Sequence, residues 1–182
     1  VLKALGDCTT VLPMSFGTIA ASEQSIRDTL RRNQELFLVQ LKRVAGRIEM
    51  GLRVEWDVPN VFEYFVNHNA ELRAQRDELA QSGQPTRDDM IRIGQQFERT
   101  LNHERDRLFH RVEAVLLRYG AAVKRLSPRS EREVLNLACL IPREQQEQFE
   151  NVVCEAAKGL DSSYLFNLSG PWAPHNFVEI TL

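Results

Sequence analysis

The sequence predicts an α+β fold from three features: an alternating strand, a helical stretch of unusual length, and a second strand apolar along its whole run. Ile48, Met50, Leu52, Val54 and Trp56 alternate with Arg47, Glu49, Gly51, Arg53, Glu55 and Asp57. That is the period of two expected of a strand with one buried face. From Thr86 to Gly120 the apolar residues Met90, Ile93, Phe97, Leu101, Leu108, Val112, Val115 and Tyr119 recur at helical spacing. At about 1.5 Å per residue this is a helix on the order of 50 Å long. Val134 to Ile141 is nearly continuous in apolar residues, as a buried central strand would be.

Before these elements the chain opens with Val1-Leu2-Lys3-Ala4-Leu5-Gly6, which has the look of a last helical turn closed by glycine. Because the first residue is Val and the pattern starts midway, the chain is expected to begin inside a larger protein. Thr10 to Gly17 is a β-rich run with Val11, Pro13 and Ser15 facing one way and Leu12, Met14 and Phe16 the other. Pro13 has no amide hydrogen, which restricts the run to an edge strand. Residues 1–20 are therefore expected to be the remnant of a preceding α+β domain. Ser22 offers a cap, and Ile26, Leu30, Phe37, Leu41 and Val44 space an amphipathic helix up to Gly46. Residues 21–46 are expected to connect the remnant to a main domain at 47–182.

Within that domain, Val61, Phe65, Leu72 and Leu79 mark a helix from Pro59 to about Ala80, and Ser82-Gly83-Gln84-Pro85 breaks it. Thr86 caps the long helix, with Asp88 and Asp89 near the positive end of its dipole. The pair predicts a helical hairpin inserted at about 59–119, packed on itself distally and on a sheet at its base; a kinked helix lying flat is the alternative. Ala121 to Leu126 is a short strand, Ser127-Pro128-Arg129-Ser130 a turn, and Pro142 starts a helix over Arg143 to Lys158. Phe149, Val152, Val153 and Ala156 face inward on it, and Gly159 ends it. Ser163 to Leu168 closes the sheet with Tyr164, Phe166 and Leu168 on one face. The order from Arg47 is β-α-β-β-α-β with a helical insertion at the first crossover. This is the ferredoxin-like arrangement, a four-stranded antiparallel sheet with helices on one face.

Composition excludes several functions. With 25 acidic residues against 23 Lys and Arg, the formal charge of −2 gives no field that would draw nucleic acid or anionic lipid. Cys8, Cys139 and Cys154 have neither CxxC spacing nor an even count, so inert thiols in a reduced cytoplasmic compartment are expected. No apolar run approaches the roughly 20 residues that cross a bilayer. His68, His103 and His110 lie on the hairpin and His175 in the closing loop; His103 and His110 are seven apart, so a metal site would need a third ligand from the neighbouring helix, such as His68, and solvated helix histidines are the expectation. Glu98, Glu104, Asp106 and Glu113 are interleaved with Arg99, Arg105, Arg107 and Arg111, which favours surface ion pairs over a catalytic carboxylate pair. No nucleophile elbow, zinc-protease, P-loop or dinucleotide motif is present. Catalytic residues, cofactors, metals, nucleic acid and membrane are not expected.

The closing stretch, Ser169-Gly170-Pro171-Trp172-Ala173-Pro174-His175-Asn176-Phe177-Val178-Glu179-Ile180-Thr181-Leu182, is the most distinctive part of the chain. Pro171 and Pro174 fix the backbone while Trp172 and Phe177 offer large apolar area at small entropic cost, the chemistry of an interface anchor. Pro171, Trp172, Pro174, His175 and Phe177 are the candidate protein-contact residues; the alternative is that Trp172 covers the edge or underside of the sheet. The hairpin tip from Leu79 to Met90 is a second candidate surface.

This ending, together with Val11-Leu12-Pro13-Met14-Ser15-Phe16-Gly17-Thr18, the alternating strand ending in Trp56-Asp57, and Asn136-Leu137-Ala138-Cys139-Leu140-Ile141-Pro142, resembles the gas vesicle protein F/L family. The motifs stand in the family's order across nearly all of the chain. Ser15 replaces a frequent basic residue, and Ala173 and His175 replace the more usual proline and tyrosine of the last motif. The resemblance implies a non-catalytic accessory protein, a minor shell component or assembly factor, located in the cytoplasm with the gas vesicle. Its implied partners are the small hydrophobic shell protein and other accessory gas vesicle proteins. Most of the family's N-terminal domain is missing, and the sheet edge this leaves open admits self-association. A small-molecule enzyme or ligand sensor on a ferredoxin-like sheet is the alternative function.

Overall fold

The computed structural model describes residues 1–14, 17–81 and 83–180. The facing assigned to Ser15 and Phe16, the helix break at Ser82, and Thr181 and Leu182 lie outside the described residues. Four strands form one sheet: β1 (Arg47–Trp56), β2 (Ala122–Arg125), β3 (Glu133–Pro142) and β4 (Tyr164–Trp172), in the order β2-β3-β1-β4. Every neighbouring pair is antiparallel. Leu52 sits opposite Leu137 on one side and Leu168 on the other, so the alternation read in β1 is continued sideways by its neighbours. β3 is buried along nearly its whole length, as its continuous apolar run requires of a strand covered on both faces.

The helices are α1 (Leu2–Cys8), α2 (Glu23–Arg32), α3 (Gln34–Val44), α4 (Val61–His68), α5 (Ala70–Gln81), α6 (Arg87–Tyr119) and α7 (Gln146–Lys158), with short 3-10 turns at Arg143–Gln145 and His175–Phe177. α6 runs for 33 residues. A capping box opens it: the Thr86 hydroxyl accepts from the Asp89 amide, and the Asp89 carboxylate accepts from the Thr86 amide at 3.1 Å. The Thr86 hydroxyl, donating to the same carboxylate at 2.7 Å, and the Thr86 amide hold the Asp89 carboxyl below its ordinary range. Gly120, at φ 92°, closes the helix in the left-handed region that favours glycine.

One face of the sheet carries the main core. Ile48, Met50, Leu52, Val54 and Trp56 of β1 and Leu135, Leu137, Cys139 and Ile141 of β3 pack under Leu108, Val112 and Leu116 of α6, Phe149 and Val153 of α7, and Phe65 of α4. The distal half of α6 packs on α4 and α5 instead, with Phe97 edge-on to Phe62 at 5.2 Å and Gln96 bonded to Glu71 at 2.9 Å. The polar middle of α6 is tethered rather than free. Arg105 donates to the carbonyls of Glu133, Ser130 and Glu131 at 3.1 to 3.2 Å, and Asp106 pairs with Arg125 at 2.7 Å.

The structure corrects several expectations. The helix expected from Pro59 to Ala80 is two helices, because the Asn69 side chain leaves the helical register to cap α5 through the Leu72 amide at 3.0 Å. The helix expected from Ser22 to Gly46 is likewise divided, at Asn33, whose side chain turns back to the Thr29 carbonyl at 2.9 Å. α1 continues through Gly6 to Cys8. Thr10 to Met14 joins no strand; Pro13, without an amide to donate, is buried there. The second face of the sheet is also partly covered, by a smaller core of Val44, Ala138, Leu140 and Phe177 with Leu12, Leu126 and Val178 against it.

Two measurements check this packing. Leu52→Ala, at a fully buried position in a central strand, is expected to cost about 2–5 kcal/mol in urea unfolding. Burial, reinforced by the Glu49 charge, pushes the Cys139 thiol up to about 12, whereas Cys8 and Cys154 are exposed. A thiol reagent at pH 8 should therefore titrate two cysteines in the native protein and the third only after unfolding.

Candidate functional site

The closing segment is held on the second face of the sheet by a buried acid that alternation alone would place outward. Glu49 is 5% exposed; its carboxylate accepts from the Asn176 amide at 2.8 Å and from Asn176 Nδ2 at 2.6 Å. Lys124 Nζ donates to the Asn176 carbonyl at 3.1 Å, and the Glu179 amide to Gln40 Oε1 at 3.4 Å. Phe177, 4% exposed, inserts beside Val44 and Leu140. Before that anchor, β4 runs on past Leu168 to Trp172, opposite Glu49, with a register irregularity between Glu49 and Gly51.

Gly170 is required at this point. Its φ of 123° suits only glycine, and a Cβ there would lie 3.0 Å from both the Glu49 carbonyl oxygen and Met50 Sδ. The Gly170–Pro171 peptide is cis. Beyond the bend, Trp172 stands 53% exposed. It borders a cleft of about 230 Å³ formed with Pro171 and Pro174, α1, the start of β1 and Arg143. Arg143 is fixed there by Asp7 at 2.8 Å and the Gly6 carbonyl at 2.7 Å.

The five residues singled out in the sequence therefore divide. Trp172 and His175 are exposed, Pro171 is half-buried, and Pro174 and Phe177 are buried. Phe177 is an anchor of the segment within the protein, and Pro171 and Trp172 belong to a strand rather than a loop. Glu49, Asn176 and Arg143 were not read as site residues. The surplus of one polar position in an otherwise regular strand gives no hint that Glu49 is covered.

A second cleft of about 380 Å³ lies between α4, the middle of α6 and the turn at Gly159 to Asp161. It brings His68 and His103 to one opening with Glu104, Arg107 and Arg111. Its charged groups are already engaged. Arg107 Nε donates to Glu104 at 2.8 Å, the Tyr164 hydroxyl donates to the same carboxylate at 2.8 Å, and Arg111 donates to the Gly159 carbonyl. Burial raises the Glu104 carboxyl, but the bonds from Arg107 and Tyr164 outweigh it and leave the group below its usual range. Among the described residues, no cluster of three or more His, Cys, Asp or Glu is placed to hold a metal ion, and no helix is long and apolar enough to cross a membrane.

A family model described as gas vesicle synthesis protein GvpL/GvpF matches residues 1–179. The chain belongs to the GvpL/GvpF family. Gas vesicle protein L from Streptomyces sp. is 25% identical, the match covering 99% of this chain and 66% of that one. Gas vesicle protein F from Nostoc sp. is 23% identical over 94% of this chain and 70% of its own length. The chain thus spans about two thirds of the length of these relatives. The crystal structure of GvpF from Anabaena sp. superimposes with a TM-score of 0.82 at 22% identity, covering 100% of this chain and 76% of that one. GvpF from Microcystis aeruginosa gives 0.79 at 20% identity, covering 98% and 75%. The GvpL/GvpF fold is thereby shared along the whole of the described chain.

Two variants separate support from contact within this site. Asn176→Ala removes the Nδ2 donor from a buried carboxylate, leaving only the backbone amide, and is expected to cost about 1–3 kcal/mol in chemical unfolding. Trp172→Ala, at a half-exposed side chain, is expected to cost well under the roughly 3–5 kcal/mol of truncating a buried tryptophan.

Proposed function

We propose that this protein is a non-catalytic accessory protein of the gas vesicle, a minor shell component or assembly factor, and that it acts in the cytoplasm at the vesicle. In this reading it contacts the small hydrophobic shell protein and other accessory gas vesicle proteins. The observation that carries the reading is membership of the GvpL/GvpF family over residues 1–179, together with an exposed tryptophan on a rigidly held segment. Pro171, Trp172 and His175 form the contact surface, with Pro174 and Phe177 holding it in place. Residues 47–182 form one domain in this account. Its strand order supports a ferredoxin-like arrangement that carries 59–119 as a helical insertion, preceded by a connecting segment at 21–46 and the remnant at 1–20.

An exposed aromatic held on a fixed backbone loses little conformational entropy on binding, which is why tryptophans dominate interface energetics. Trp172 sits beside a cleft with apolar walls from Leu2, Val11, Val44 and Ile48, so a partner side chain could be enclosed against its ring. The polar cleft at Glu104 offers a ligand sensor less, because its cations are committed to internal partners.

The test is a pull-down of the protein against the vesicle shell protein and each accessory gas vesicle protein, with Trp172→Ala alongside. Binding to at least one of them, weakened about tenfold or more in the variant, is the expected result. Failure to bind any of them, with normal vesicles in a deletion strain, would contradict it.

A further inference from the structure

The sheet has two edges, and only one of them is guarded. β2 is four residues long and carries Lys124 and Arg125; Lys124 also reaches across to Asn176 and Glu179. Short length and positive charge are the ordinary protections of an edge strand. β4, at the other edge, is nine residues long, and its sequence Tyr-Leu-Phe-Asn-Leu-Ser-Gly-Pro-Trp contains no charged side chain. Among the described residues its one extensive neighbour is β1.

The register shows which backbone groups of β4 face outward. The Asp57 amide donates to the Ser163 carbonyl at 2.8 Å, and Trp56 through Gly51 pair in step with Tyr164 through Ser169. In an antiparallel ladder, hydrogen-bonded and non-hydrogen-bonded pairs alternate. Leu165, Asn167 and Ser169 therefore turn their amides toward β1, while Tyr164, Phe166 and Leu168 turn theirs away. Among the described residues, no backbone bond outside the ladders reaches these three.

We propose that β4 pairs with β4 of a second copy of this chain, antiparallel, about a two-fold axis through Phe166. The three outward residues are symmetric about that position, so Tyr164 meets Leu168 of the other copy and Phe166 meets its own counterpart, closing about six backbone hydrogen bonds. Tyr164, Phe166 and Leu168 lie half-buried on the helix-covered face, packed against the main core, so pairing extends that apolar layer across the axis. Leu165, 46% exposed on the other face, comes opposite Asn167. An uncharged strand is suited to this occupant, since any charge near a two-fold axis would face itself; the Lys124-Arg125 edge would repel its own copy. Gly170 and the amide-free Pro171 end the pairable stretch and keep the register from sliding toward the C-terminus.

Sedimentation equilibrium of the purified chain over a concentration series should show a reversible dimer. Leu165→Lys, which sets two cations close together across the axis without touching the core, should raise its dissociation constant about tenfold or more with unchanged circular dichroism and with an unchanged melting temperature at concentrations where both proteins are monomeric. As a check on register, Cys8 and Cys154 are replaced by Ser, and Leu165→Cys and Asn167→Cys proteins are mixed under mild oxidation. The mixed 165–167 disulfide should form faster than either symmetric one. A monomer at every concentration would overturn the proposal, even if the edge captured an extended segment of another protein. So would a dimer unaffected by Leu165→Lys, or faster 165–165 cross-linking. This outcome is independent of whether the chain binds gas vesicle proteins through Trp172.

Discussion

The antiparallel pairing of β1 with β3 is the constraint on which the rest of the structure depends. It places two strands separated by the whole helical segment side by side, with Ile48, Met50, Leu52 and Val54 in register with Ile141, Cys139, Leu137 and Leu135. The apolar surface this creates is what the base of α6 and the face of α7 that carries Phe149 and Val153 cover. Because side chains alternate between faces, a slip of one residue would turn that surface outward and expose the main core. The same pairing turns Glu49 to the second face, where it meets Asn176.

The second face turns a family motif into a physical object. Glu49, through Asn176, and the burial of the adjacent Phe177 together hold the closing segment, one by charge-assisted hydrogen bonds and the other by packing. Ahead of that anchor Gly170 supplies a bend no other residue could make without meeting the Glu49 carbonyl. Trp172 is exposed on a support that is fixed, and the cost of ordering it for a partner has been met in folding.

Much of this was legible in the sequence. Period-two alternation located β1, the continuous apolar run located β3, and the capping box and Gly120 bounded α6 to within a residue or two. These signals are local, and burial enforces them. The breaks at Asn33 and Asn69 were missed because apolar spacing continues across them, while a single asparagine side chain decides whether the helix goes on. The buried state of Glu49 was illegible for a different reason. Its partner lies far along the chain, and nothing in an alternating strand tells which polar residues will be covered. The separation of Trp172 from Phe177, one outward and one inward, likewise depends on the small core under Phe177, which forms only once α3, β3 and the closing segment meet.

The central claim is that the exposed end of β4 is where partners are met. Hydroxyl-radical footprinting tests it most directly, since the chain has two tryptophans and only Trp172 is accessible, Trp56 being 1% exposed. Oxidation of Trp172 should fall on adding the gas vesicle shell protein or the accessory protein that binds, while Met90 at the hairpin tip keeps its rate. Unchanged oxidation of Trp172 together with protection of Met90 would place the contact on the helical hairpin and contradict the account.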